Sequence, residues 1–168
     1  VIGSHLWATL LLMGGSTLLS MLVGGWIGIR SAIRQGSTFD YAMTVICFVA
    51  LSVPTFWVGL VSIFIFSLRL GWLPAGNMYT VGDGSVSDIL VHLIMPSCVL
   101  ALVNVAIWAR YMRTATLEVV NQDFVRTAKA KGLAPRRILM KHIVGNALLP
   151  MITLAGMQLP PLLGGGVV

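Results

Sequence analysis

Long apolar runs alternate with shorter polar intervals along this chain of 168 residues. The first run, Leu6 to Ile29, contains no charged residue over 24 positions. At a rise of about 1.5 Å per residue, such a helix is about 36 Å long, which exceeds the roughly 30 Å hydrocarbon core of a bilayer. The runs predict four membrane-spanning helices, at about residues 6–29, 42–67, 89–110 and 146–168. The expected fold is therefore an all-α polytopic membrane protein.

The second run contains a proline near its middle, at Pro54. A proline inside a membrane helix frees a backbone carbonyl and kinks the helix. Ser52 and Thr55 lie beside it, and Asn104 is a polar residue inside the third run. These four residues are candidates for lining a substrate path. The alternative is that the kink serves packing and that Asn104, like Gln158 in the fourth run, hydrogen-bonds to a neighbouring helix. The sequence leaves both interpretations open.

A polar loop at about residues 111–145 separates the third and fourth runs. Apolar residues recur at helical spacing through the first half of this loop, at Leu117, Val120, Phe124 and Ala128, which predicts an apolar face there. Gly132 then interrupts the pattern, as expected where a helix ends in a left-handed residue. Pro135 suits the first turn of a second helix, because its missing N–H costs nothing there. We therefore predict a helix, a break and a second short helix, all outside the hydrocarbon.

Composition supports a membrane protein and changes how the charge is interpreted. Hydrophobic residues make up 57% of the chain and charged residues only 10%, whereas soluble domains carry about 25% charged residues. The net charge of +6 would suggest a nucleic-acid partner in a soluble chain. Here eight of the 11 Lys and Arg residues lie between Arg110 and Lys141, beside predicted spans. We therefore expect a lipid bilayer as the partner of the chain and no nucleic acid.

The polar intervals also predict an orientation. Residues 30–40 carry two bases and one acid, and residues 110–142 carry eight bases and two acids. Residues 69–88 carry one base and two acids. Because basic loops stay on the cytoplasmic side, the first and third intervals should be cytoplasmic and the second extracytoplasmic. Two spans separate the basic intervals, so the number of crossings agrees with this topology.

The sequence contains no recognisable nucleotide-binding or metal-binding motif. It contains no Gly-x-x-x-x-Gly-Lys-Ser/Thr phosphate loop and no His-Glu-x-x-His motif. The two cysteines, Cys47 and Cys98, are too far apart and too isolated for a metal motif. All five acidic residues lie in predicted loops or at span edges, whereas an ion-coupled transporter usually places a carboxylate within the membrane. The sequence therefore predicts no enzyme activity, no metal and no cofactor.

Two stretches of the polar loop carry a family resemblance. Residues 123–133 read DFVRTAKAKGL, and residues 146–150 read NALLP. They resemble the cytoplasmic EAA loop of the membrane subunits of bacterial ABC importers, most closely the peptide, oligopeptide and nickel permeases. Arg126-Thr127-Ala128 replaces the general E-A-A pattern, and His142 stands where Ile is expected, as in the peptide-permease group. Two shorter stretches, residues 52–57 and 70–76, agree with the same group.

The resemblance implies a type I ABC importer transmembrane domain, of which residues 1–168 contain about four of six spans. It implies a multi-pass protein of the bacterial plasma (inner) membrane. The implied partners are a second homologous permease subunit, two cytoplasmic ABC ATPase subunits that hydrolyse ATP, and an extracytoplasmic solute-binding protein. The implied ATPase-coupling residues are Asp123, Phe124, Val125, Arg126, Thr127, Ala128, Lys129, Ala130, Lys131 and Gly132.

Two functional hypotheses from different classes follow. The first is a permease subunit that forms the translocation pathway for peptides or a related small solute and couples to the ATPases through this loop. The second is a structural membrane protein outside the ABC class, whose basic loop binds anionic lipid. Lipid binding needs charge but no fixed order of Phe124, Ala128, Gly132 and Pro150, so the order favours the importer. The sequence leaves the substrate open among di- and oligopeptides, nickel complexes and glutathione.

Overall fold

The computed structural model describes the backbone of residues 2–80 and 85–164 and the side chains of residues 11–80 and 85–157. These residues form helices and connecting segments without a β-strand, which confirms the all-α prediction. The α-helices are α1 (Ile2–Ile33), α2 (Thr38–Ser52), α3 (Thr55–Ser62), α4 (Val86–Val120), α5 (Asp123–Ala130), α6 (Pro135–Arg137) and α7 (Gly145–Gly164). Two π-helical segments, Ile63–Arg69 and Ile138–Val144, continue α3 and join α6 to α7.

Three helical stretches are long and apolar enough to cross a membrane: Leu11–Ile33, Val86–Val120 and Pro135–Met157. A fourth crossing is present if the bent pair formed by Thr38–Ser52 and Thr55–Arg69 is one broken span. This agrees in number with the four predicted spans. The last predicted positions, 165–168, lie outside the described residues, as does the side chain of Gln158.

Helix boundaries around the polar loop differ from the prediction. The third helix does not stop near Arg110 but continues to Val120. The second short helix expected after Gly132 is not separate, because helical structure runs without a break from Pro135 through the second π-helical segment into α7. The physical reason is that no glycine or proline interrupts the chain between Pro135 and Gly145, and the apolar side chains of Ile138 and Ile143 are buried along this stretch.

The break at Pro54 is sharper than the predicted kink. α2 ends at Ser52, Val53 is extended (φ −86°, ψ 127°), and the chain re-enters a helix at Thr55. The two helices are bent by 94°. The residue before a proline is pushed out of the helical region, and proline lacks the N–H that would bond back to the preceding turn. Both effects act here, so the helix stops for two residues instead of bending.

The core forms where α1 crosses α4. Trp108 and Met112 of α4 are almost completely buried, and they pack together with Ala147 and Met151 of α7. Gly24 of α1 lies so close to α4 that a Cβ atom there would be 2.7 Å from the Cβ of Trp108. Gly24 and Gly28, four residues apart, both lie where α1 approaches α4 closely. α4 is the central helix, with α1, α2 and α7 packed around it.

Candidate functional site

Helix α5 begins directly after α4, with a sharp change of direction at Asn121 and Gln122. Asn121 caps the end of α4, and Gln122 is extended (φ −73°, ψ 149°) before the first turn of α5. Asp123 lies in the first turn and Lys129 in the last, so both charges interact favourably with the helix dipole. The 3.7 Å pair between Arg126 and Asp123 is exposed and therefore contributes little.

The inner face of α5 is held by a small core of its own. Val125 and Ala128 are buried and pack against Ile138 and Ile143 of the second π-helical segment. Leu133 and residues at the end of α4 complete the same cluster. The short helix therefore rests on the start of the last long helix, which fixes its position relative to α7.

The predicted apolar face of α5 was only half correct. Ala128 is buried as expected, but Phe124 is 43% exposed and Val125, next to it, is completely buried. The predicted spacing ran on from the apolar residues at the end of α4, through Asn121, where that helix ends. Because α5 starts anew at Asp123, the register of its inner face is shifted by one position.

Gly132 ends α5 as predicted, in the left-handed conformation with φ +71°. The N–H of Leu133 donates to the carbonyl of Ala128 at 3.3 Å, and the N–H of Gly132 donates to the carbonyl of Lys129 at 3.0 Å. These two bonds are those of a Schellman motif, which satisfies carbonyls that the end of a helix leaves free. A Cβ at Gly132 would meet no atom within 4 Å, so backbone conformation, not space, requires glycine here.

The outer surface of α5 combines one aromatic ring with several bases. Of the ten residues with a predicted coupling role, only Val125 and Ala128 face inward. The exposed ones are Asp123, Phe124, Arg126, Thr127, Lys129, Ala130, Lys131 and Gly132. We call Phe124, Arg126, Lys129 and Lys131 the α5 outer surface; it combines one exposed aromatic side chain with three exposed bases.

An ion pair joins the first turn of α2, and through Gly36 the α1–α2 loop, to α4. The Nε of Arg113 donates to Oδ1 of Asp40 at 2.7 Å, and its Nη2 donates to Oδ2 at 2.8 Å. The N–H of Gly36 donates to the same carboxylate at 3.0 Å, and the side chain of Asp40 is only 4% exposed. Such bidentate pairs are strong and directional. The pair also places the two basic intervals at the same end of the molecule.

Asp40 lies in the first turn of α2, within the stretch that forms the candidate broken span. The sequence analysis missed this pair, because Asp40 and Arg113 are 73 residues apart and only their opposite charges hinted at a contact.

Comparison with known proteins identifies the family to which this arrangement belongs. The model of the family described as "Binding-protein-dependent transport system inner membrane component" matches residues 20–168. The chain belongs to this family. It is a multi-pass membrane protein of the peptide-permease group of ABC importers, as the loop motif predicted.

Three relatives show how close the similarity is. The chain is 44% identical to the oligopeptide transport system permease protein AppB of Bacillus subtilis, over 95% of this chain and 51% of the relative. It is 40% identical to a putative peptide permease protein of Brucella suis, over 99% of this chain and 53% of the relative. It is 37% identical to the di/tripeptide transport system permease protein DppB of Pseudomonas aeruginosa, over 95% of this chain and 53% of the relative. The chain thus spans about half the length of the curated relatives it matches.

The four candidate pathway residues lie in two places in the structure. Ser52, Pro54 and Thr55 are exposed at the break between α2 and α3, and the hydroxyl of Ser52 donates to the carbonyl of Phe48 at 2.8 Å. Asn104 donates to the carbonyl of Leu100 in its own helix at 3.1 Å, so its predicted bond to a neighbouring helix is not observed.

Proposed function

We propose that this chain is part of the permease subunit of an ATP-driven ABC importer in the bacterial inner membrane. In this proposal it helps to form the translocation pathway for peptides or a related small solute. The family and the peptide-permease relatives support this function. The proposed partners are a second homologous permease subunit, two cytoplasmic ABC ATPase subunits and an extracytoplasmic solute-binding protein.

Helix α5 is the proposed contact with an ATPase subunit. The observation that carries this proposal is the 43% exposure of Phe124, on a helix whose inner face is already filled by Val125 and Ala128. Buried aromatic side chains carry much of the energy of protein interfaces, so Phe124 suits a groove on the partner. Arg126, Lys129 and Lys131 are exposed on the same segment and would speed association and fix its register.

Movement of α5 would reach the membrane helices through two rigid connections. α5 follows the end of α4 after a turn of two residues, Asn121 and Gln122, and its buried face packs against the segment that leads into α7. The bidentate pair between Arg113 and Asp40 extends the first connection to the α1–α2 loop. ATP-driven closure of the ATPases would thereby rock several spans together, as in other transitions between rigid bodies.

The alternative function is a lipid-binding structural protein outside the ABC class, and the family match counts against it. Its supporting observation is that Arg126, Lys129 and Lys131 are all exposed. Anionic lipid would be attracted by these charges whatever aromatic residue lies among them. The importer function therefore requires the aromatic side chain of Phe124, whereas the lipid-binding function requires the charges of the lysines.

The test compares two kinds of variant in the full-length subunit, co-expressed with its ATPase and second permease subunits. Phe124→Ala removes the aromatic anchor without changing charge, and we expect about a thirtyfold loss of ATPase affinity, which corresponds to about 2 kcal/mol. Lys129→Gln with Lys131→Gln should mainly slow association, and the effect should depend on salt. Tyr111→Ala is the matched control, because it removes another exposed aromatic side chain, from the last part of α4.

The measurements are co-purification of the ATPase subunits and uptake of labelled peptide into proteoliposomes. Phe124→Ala should insert normally but lose ATPase binding and uptake, while Tyr111→Ala should keep both. If Phe124→Ala binds and transports like the parent while the lysine variant loses membrane association, the coupling role of α5 is wrong.

A further inference from the structure

A cavity of about 350 Å³ lies at the end of α1, outside the α5 outer surface. Its apolar wall is formed by Ile29 and Ile33 of α1 and by Leu139 and Val144 of the second π-helical segment. Arg30 and Arg34 line the same cavity. The first predicted span ends at residue 29, so the cavity lies where the hydrocarbon meets water.

The two arginines present unneutralised charge to this cavity. Arg30 and Arg34 are one helical turn apart and both are exposed, and like charges at this spacing repel each other. No carboxylate of the described side chains lies within 4 Å of either guanidinium. An anion between them would remove the repulsion.

Two aromatic rings hold Arg30 in position. Its guanidinium carbon lies 5.6 Å from the centre of the Trp26 ring and 5.4 Å from that of Phe39. Cation–π contacts of this kind orient the guanidinium plane, while the N–H groups in that plane remain able to donate to an oxyanion. Trp26 is also a typical residue of the membrane interface.

We propose that this cavity binds an anionic phospholipid of the cytoplasmic leaflet. The lipid phosphate would accept hydrogen bonds from Arg30 and Arg34, and the first part of an acyl chain would lie along Ile29 and the residues of the π-helical segment. A soluble anion would match the charges but not the apolar wall. A zwitterionic lipid would match the wall but would leave the two positive charges without net compensation. Basic sites between membrane helices on this side are suited to such headgroups.

The position of the cavity gives the bound lipid a structural consequence. One wall belongs to α1 and the other to the segment that supports α5. A lipid in the cavity would therefore connect these two elements, which otherwise share few direct contacts. Binding itself does not depend on the proposed transport function, so it can be tested separately.

The experiment uses the full-length subunit in nanodiscs of phosphatidylcholine, titrated with fluorescent phosphatidylglycerol. Each base near the surface strengthens the attraction of anionic lipid, so two should give a preference of about thirtyfold over labelled phosphatidylcholine. Arg30→Gln with Arg34→Gln should abolish this preference. Lys129→Gln with Lys131→Gln removes the same charge from the α5 outer surface and should retain it.

Two further variants separate a lipid site from a simple charge effect. Arg30→Lys with Arg34→Lys keeps the charge but not the planar donors, so we expect partial retention of the preference. Leu139→Trp fills the apolar part of the cavity without changing charge and should weaken binding of the lipid but not of glycerol phosphate. These variants also guard against a loss of folding in the double glutamine variant.

Several results would overturn the proposal. One is an unchanged preference for phosphatidylglycerol after replacement of Arg30 and Arg34 by Gln. A second is loss of the preference only in the lysine control, which would assign the lipid to α5. A third is the absence of any preference in the parent subunit, which would mean that another part of the subunit covers the cavity. Equal competition by glycerol phosphate and by lipid would reduce the site to a soluble-anion site.

Discussion

The crossing of α1 and α4 can be tested by adding a single methyl group. A Cβ at Gly28 would lie 2.5 Å from the carbonyl oxygen of Ala109, 2.7 Å from the Cβ of Met112 and 2.8 Å from the backbone N of Arg113. These atoms belong to the backbone or are fixed to it, so no change of rotamer can make room. Gly28→Ala should therefore force the helices apart.

The size of the effect follows from the distances. Because an ordinary contact of this kind is 3.4–4 Å, the helices would have to separate by about 1 Å, which a close-packed interface resists. Overpacking of this kind costs about 1–3 kcal/mol. Gly25 provides a matched control, because a Cβ there would meet no atom within 4 Å. Gly25→Ala changes the intrinsic helix propensity by the same amount, so the difference between the two variants isolates the crossing.

The assay is thermal unfolding of the full-length subunit in detergent. The measured quantity is the fraction of protein that remains monodisperse after heating. Gly28→Ala should unfold at a lower temperature than the parent, whereas Gly25→Ala should match or exceed the parent. Equal stability of the two variants would refute the close approach of α1 and α4. Gly28→Ala should also weaken the Asp40–Arg113 pair, since the added methyl group would press on the backbone of Arg113.

Two further predictions concern the ion pair and the end of α5. Asp40→Asn and Arg113→Gln should each destabilise the subunit by about 3 kcal/mol, near the lower end of the range for buried pairs because Arg113 is 31% exposed. The double variant should lose less stability than the sum of the two single losses. Additive losses would argue against the pair. Gly132→Ala should lower the stability of the α5 end by about 1–2 kcal/mol, because Gly132 has a positive φ. A protease should therefore cut the loop after α5 faster in Gly132→Ala than in the control Gly156→Ala. Equal rates of cleavage would contradict the strained cap.

Local signals in the sequence were sufficient for the fold and for part of the site. The apolar runs predicted the long helices because a membrane span must be both long and uncharged. Gly132 predicted the end of α5, and Pro135 the start of the next helix, because each residue acts through its own backbone conformation. The break at Pro54 was predicted in position but not in angle, since the angle depends on how α2 and α3 pack against α4.

The remainder of the site depends on contacts that no local pattern contains. Val125 and Phe124 are adjacent, and which one is buried is decided by where α5 starts, at the turn formed by Asn121 and Gln122. The pair between Asp40 and Arg113 needs the α1–α2 loop to lie beside α4. The sequence shows both charges, but only the packing of the helices brings them together.

In the proposed coupling function, the small core beneath α5 is what lets so short a helix carry a mechanical signal. Eight residues alone do not form a stable helix in water, because nucleation costs more than a few hydrogen bonds return. Val125 and Ala128 pack on Ile138 and Ile143. In the proposed function, a force on the outer surface would therefore move the segment beneath α5 and not unfold the helix. That segment continues without a break into α7. A partner that binds Phe124 would thus act directly on a membrane helix. The strength of the connection between α5 and α7 would be set by the buried face of α5 and not by its charges.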